Sequence, residues 1–103
     1  MTNQTPESAR DYLTPVPGHA GAHLALFALS TCVWCRRTRQ LLDSLGVAYQ
    51  YVYVDRLSGE AARRAEADLT RWNPRSSFPT LVVDERTVIV GYAESKIREA
   101  LGV

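Results

Sequence analysis

Two cysteines, Cys32 and Cys35, are the only ones in the chain of 103 residues, and they stand three apart as Cys32-Val33-Trp34-Cys35. An apolar run, Leu24-Ala25-Leu26-Phe27-Ala28-Leu29, precedes them, and a helical pattern follows to about residue 45. At a spacing of three in the first turn of a helix, both side chains lie on one face. That turn carries unpaired backbone N–H groups and the positive end of the helix dipole, which favour a thiolate over a thiol. A thiolate beside a second thiol can attack a disulfide and then be displaced by its neighbour. The chemistry to which the pair points is therefore redox exchange, with metal ligation as the competing use of the same spacing.

The remaining composition narrows the setting. A chain of this length supports one domain with a modest core. The net charge is +1 and the charged fraction 22%, which gives no polyelectrolyte footprint and argues against a nucleic-acid partner. No stretch approaches the roughly eighteen apolar residues of a membrane span. The first residues lack the basic start and apolar middle of a secretory signal, so a cytoplasmic setting is expected. There, a close cysteine pair is more often catalytic or metal-binding than structural. A disulfide closing so short a loop would constrain the chain little.

The elements that must hold the pair follow from the hydrophobic periods. Residues 1–21 are polar or small, with Pro6, Pro15, Pro17, Gly18 and Gly21 and no sustained period. They read as a flexible N-terminal arm with a short turn near residues 9–13, leaving the domain at 22–103. His19 and His23, at the end of this arm, read as solvent-exposed. A strand over about 23–29 leads into the cysteine helix, which Gly46 ends. A tyrosine- and valine-rich strand over about 49–54 closes on Asp55, its tyrosine alternation reading as an ordinary strand face. Ser58 is placed to cap a helix running to about 72, which Asn73-Pro74 stops. Two strands, 80–83 and 87–90, joined through Asp84-Glu85-Arg86, form a hairpin. A last helix spans about 93–101. The order β-α-β-α-β-β-α predicts a four-stranded mixed sheet flanked by helices, its first two strands parallel.

The chain resembles the glutaredoxin family, whose fold is thioredoxin-like. Four pieces carry the resemblance in order: Cys32-Val33-Trp34-Cys35, Asp55, Phe78-Pro79-Thr80 and Gly91-Tyr92. It extends over about residues 23–103. It implies a dithiol thiol–disulfide oxidoreductase that serves cell redox homeostasis, with Cys32 as nucleophile and Cys35 as the resolving thiol. It implies a cis peptide bond at Phe78-Pro79, which would present the Phe78 backbone to an incoming chain as an added strand. Ser77, Phe78, Pro79, Gly91 and Tyr92 are then substrate- or glutathione-binding positions. Trp34, between the cysteines, reads either as an aromatic contact for a docking partner or as cover for the helix start. Arg36 could add positive potential near Cys32, the alternative being a solvated helix face.

Gly91-Tyr92-Ala93-Glu94-Ser95 departs from the family's paired glycines, and Leu29-Ser30-Thr31 lacks the basic residue often found before the first cysteine. A glycine followed by an aromatic resembles NrdH-type redoxins, which thioredoxin reductase reduces. The resemblance thus implies glutathione or NADPH-linked thioredoxin reductase as electron donor, no tightly bound cofactor, disulfide-containing protein substrates and a monomer. Two other functions share the motif. One is an iron–sulfur or zinc module using cysteines across a dimer. The other is a redox-regulated binding protein without turnover. One chain supplies only two thiolates and neither histidine joins them in a motif, so a mononuclear metal site within one chain is not expected.

Overall fold

The computed structural model describes residues 11–103. Five strands and three helices follow in order: β1 (Thr14–Val16), β2 (Leu24–Ala28), α1 (Val33–Leu45), β3 (Tyr49–Tyr53), α2 (Gly59–Trp72), β4 (Thr80–Val83), β5 (Thr87–Val90) and α3 (Glu94–Leu101). The turn Val54–Arg56 between β3 and α2 is a single 3-10 turn. The sheet order is β1-β3-β2-β4-β5. Strand β2 runs parallel to β3, and the other pairings between these strands are antiparallel.

Alternation along the strands divides the core in two. Leu24, Leu26 and Ala28 of β2 join Leu81 and Val83 of β4 against Leu41 and Leu42 of α1 and Ile97 of α3. Ala25, Phe27, Val52 and Val82 point to the other face, where Ala65 and Leu69 of α2 cover them. All five residues of β2 are consequently buried, as befits a central strand with helices on both faces. The two ends of α1 are set by backbone conformation. Cys32 is extended at the N-cap, and Gly46 takes the left-handed conformation (φ 70°) past the last turn.

Two expectations need correction. The sheet has five strands, not four, because the segment assigned to the arm contributes β1. Tyr12 and Leu13 are buried beneath α2, and Thr14–Val16 pairs with Tyr49–Tyr51. The Tyr12 hydroxyl donates to Asp68 at 2.6 Å, and Arg64 reaches Asp11 at 2.7 Å. Further on, His19 donates to the Gly46 carbonyl and accepts from the Ala48 N–H. The folded unit therefore takes in residues well before 22, and only 1–10 of the expected arm lie outside the described residues. Pro15 is accommodated because β1 is an edge strand that needs to donate on one side only. The second correction is smaller: Ser58 occupies the N-cap of α2, but its side chain makes no capping hydrogen bond.

The β4–β5 hairpin turns through Asp84 and Glu85, both at positive φ (55° and 53°), with Arg86 N–H donating to the Val83 carbonyl. Two left-handed central residues give the twist that a tight antiparallel connection requires. Asp84 also accepts the His23 N–H at 2.8 Å, fixing the start of β2. The opposite ends of β2 and β4, which are antiparallel neighbours, lead to Cys32 and from Pro79 at the same end of the sheet's strands.

Candidate active site

Cys32 is the N-cap of α1, so its sulfur lies where the first helical N–H groups point. The Cys35 N–H donates to Cys32 Sγ at 3.1 Å. A sulfur at this position has a backbone donor and the helix dipole to solvate negative charge. Cys32 is partly exposed, whereas Cys35 is 1% exposed and belongs to the core beneath α1. Burial pushes the Cys35 thiol up to about 12. Its hydrogen bond with the Cys32 sulfur and the charges of Cys32 and Asp55 act in the same direction. Against them stands the Leu29 N–H, which donates to Cys35 Sγ at 3.5 Å. The two sulfurs thus occupy unlike sites: one at the surface, the other a proton-holding thiol behind it.

The loop that joins β2 to α1 is anchored from the side. Asp55 accepts the Ser30 N–H at 2.9 Å and the Ser30 hydroxyl proton through its second oxygen. These hydrogen bonds, that of the hydroxyl first, hold the Asp55 carboxyl below its ordinary range. The sequence placed Asp55 at the end of a strand; its bonds to Ser30 give it a role in positioning the cysteine loop.

Five of the predicted binding residues come together. Trp34, Phe78, Pro79, Gly91 and Tyr92 line one cleft of about 230 Å³. The Phe78-Pro79 peptide bond is cis. Trp34 is 55% exposed. Its ring stacks on Tyr92 at 6.0 Å between centroids, and Arg37 lies over it at 5.4 Å. Arg36, by contrast, is exposed on α1. The Tyr92 hydroxyl donates to Glu94 at 3.2 Å, and Arg98 donates to the same carboxylate at 2.9 Å. Those two bonds, Arg98 first, keep the Glu94 carboxyl below its usual range.

Ser77 does not line this cleft. Its hydroxyl and carbonyl belong to a network around Asn73, a buried residue that sequence reasoning treated only as a helix stop. Asn73 Nδ2 donates to Ser77 Oγ and to Thr80 Oγ1, each at 3.0 Å, and Thr80 Oγ1 donates to the Ser77 carbonyl at 2.8 Å. Buried polar groups joined in this way impose one loop shape, here on the segment that carries Phe78 and Pro79. A second cross-element contact also escaped the sequence reading. Arg39 of α1 lies 3.8 Å over Tyr51 and donates to the hydroxyls of Tyr49 and Tyr53, tying the cysteine helix to β3.

A thiol pair split between surface and interior, at a strand-to-helix junction and on the thioredoxin-like fold, defines the class of thiol–disulfide oxidoreductases. Within that class, the chain belongs to the glutaredoxin family. The family model Glutaredoxin matches residues 24–88. Glutaredoxin 3 of Escherichia coli strain K12 is 30% identical over 67 residues, which cover 65% of this chain and 75% of that protein. Among solved structures, the glutaredoxin of Methanosarcina mazei Go1 superposes with a TM-score of 0.82 at 44% identity, covering 90% of each chain. Methanosarcina acetivorans methanoredoxin gives 0.76 at 46% identity, over 79% of this chain and 85% of that one. The protein is therefore a thiol–disulfide oxidoreductase acting on disulfide substrates, and the metal-module and sensor readings are not favoured.

Proposed function

We propose that the protein reduces protein disulfides and mixed disulfides by a dithiol cycle in which Cys32 attacks and Cys35 resolves. The observation that carries this assignment is the asymmetry of the pair, one sulfur reachable and one buried with its proton. In the first step the Cys32 thiolate attacks a substrate sulfur. A Cys32–substrate disulfide forms, and the other substrate sulfur leaves as a thiolate that takes a proton from water. In the second, Cys35 loses its proton and attacks Cys32 Sγ, forming Cys32–Cys35 and expelling the second substrate thiolate. The substrate gains two electrons from the enzyme dithiol; its first thiolate takes a proton from water and its second takes the proton given up by Cys35. The Phe78 backbone, free of hydrogen bonds to other described residues, is available to pair with the substrate chain beside the cysteines.

Regeneration falls to a donor that reduces Cys32–Cys35. The reading favoured by the site is NADPH-linked thioredoxin reductase. At the start of α3, where a small thiol's carboxylate would meet the helix dipole, the Glu94 carboxylate is already held by Arg98 and Tyr92. Glutathione is the second reading, supported by the family and by the 230 Å³ cleft lined by Trp34, two residues on from Cys32.

The roles are tested with insulin as substrate. Cys32→Ser is expected to abolish turnover, and Cys35→Ser to accumulate a covalent enzyme–substrate disulfide visible by mass spectrometry. Full activity in Cys32→Ser would refute the assignment. Offering the oxidised protein NADPH with thioredoxin reductase, or NADPH with glutathione and its reductase, decides the donor. Consumption of NADPH in the glutathione system alone would overturn the first reading.

A further inference from the structure

Phe78 lines two clefts. One is the aromatic cleft already described. The other, of about 440 Å³, lies on the Asp55 side and is lined by Asp55, Glu66, Leu69, Thr70 and Ser76, among others. The two clefts share a single side chain as a wall, so a substrate strand laid along Phe78 has side-chain space on both sides of its cysteine. Alternate residues of an extended chain point in opposite directions, which matches that division.

The two sides differ in charge. The Trp34 side has Arg37 over the indole. Among the described residues, the other is lined by two carboxylates and by no lysine or arginine. Asp55 is held in place by Ser30. Glu66 is the acidic residue of its helix left without an ion pair among the described residues, since Glu60 pairs with Arg63 and Asp68 with Arg71. Arg56, next in sequence to Asp55, lies over the Tyr53 ring and its charge also acts on the Asp55 carboxyl, so Glu66 is the less compensated of the two. Leu69 and Phe78 contribute apolar surface, along which the methylene stem of a long cationic side chain can lie while its head stays near the carboxylates.

We infer that this second cleft receives an arginine or lysine side chain flanking the reactive cysteine of a protein substrate, so that Asp55 and Glu66 set substrate preference. The inference rests on the dithiol reading above and adds the chemistry of the substrate. It follows that an anionic segment is disfavoured on this side, by repulsion from the same two groups.

The test uses the reduced full chain and a series of short peptide disulfides. Each carries Arg, Gln or Glu within two residues of the half-cystine, on either flank, and otherwise keeps one sequence. Exposed charge pairs of this kind correspond to about a 1.4- to five-fold effect. The expected order of kcat/KM is therefore Arg above Gln above Glu, by about that factor per step on one flank, shrinking as salt is raised. Glu66→Gln should compress the Arg-to-Glu ratio, and Glu66→Lys should invert it. Equal rates for the three peptides on both flanks, or a ratio unchanged in Glu66→Lys, would overturn the inference while leaving the dithiol cycle standing. Failure to reduce any of the peptides, with Cys32→Ser no worse, would instead remove the cycle and this inference with it.

Discussion

The buried thiol offers the sharpest quantitative test of the site. Consider reduced Cys32→Ser protein, in which Cys35 is the only thiol, treated with iodoacetamide at pH 7. Cys35 is raised from 9.0 to about 12, so folding lowers its thiolate fraction by about 10³. A thiolate of higher pKa is intrinsically the better nucleophile, with a Brønsted slope of about 0.4–0.5. At that slope the greater basicity of the folded-state thiolate recovers a factor of about 16–30, leaving the folded protein about 30–60 times slower than the same chain unfolded in urea. Loss of the Cys32 contributions moves this toward the lower figure, and the 1% exposure of the residue slows alkylation further. The pH profile gives a second check. The unfolded rate should level off above about pH 9, while the folded rate continues to climb toward pH 12, narrowing the ratio. Carbamidomethylation is read by mass at fixed times. Folded and unfolded rates within a factor of about three at pH 7 would refute the argument that burial keeps the resolving thiol protonated.

Two further outcomes follow from the same geometry. Leu13→Ala should lower the unfolding free energy by about 2 kcal/mol in urea titration; a change near zero would mean that this stretch contributes no packing. Cys35 and Tyr49 are both raised to about 12, from 9.0 and 10.0, burial being the first cause of each. An acid raised on folding lends stability below its unfolded value and loses it as pH climbs through the folded one. The reduced protein should thus weaken from about pH 9 upward and the Cys32–Cys35 disulfide form only from about pH 10, as urea midpoints across pH 8–12 would report.

The parts legible in the sequence were those with a local signature. Short runs of apolar and β-branched residues marked β2 to β5, and Gly46 and Asn73-Pro74 marked helix ends to within a residue or two. Cys32 at the start of α1 followed from the same pattern, because a cap is defined by the residues next to it. β1 was missed for the opposite reason. Three residues with a proline at their centre have no period to read, and their partner strand lies about 35 residues onward. Tyr12 and Leu13 resemble isolated apolar residues until α2 is folded over them. The polar network of Asn73, Ser77 and Thr80 and the Arg39 contacts with three tyrosines are likewise products of the fold. So is the pairing of Asp55 with Glu66 in one cleft, since these residues sit on different elements.

The position of Cys35 also explains how one sulfur can wait while the other acts. Before attack, the thiol is held protonated by burial, by its hydrogen bond with the Cys32 sulfur and by the Cys32 charge. Once Cys32 is bonded to a substrate sulfur, it carries no negative charge, and its contribution to holding the proton weakens. The Leu29 N–H, which favours the Cys35 thiolate, remains in place. The proton on Cys35 is therefore easier to remove in the mixed disulfide than in the free dithiol, and the resolving attack is promoted by the bond that it must break. Burial persists throughout and sets the limit of the effect, so resolution should accelerate as pH climbs toward the raised range of Cys35. This ordering needs no moving part. It requires only that the second sulfur sit behind the first, and the strand-to-helix junction at Cys32 places it there.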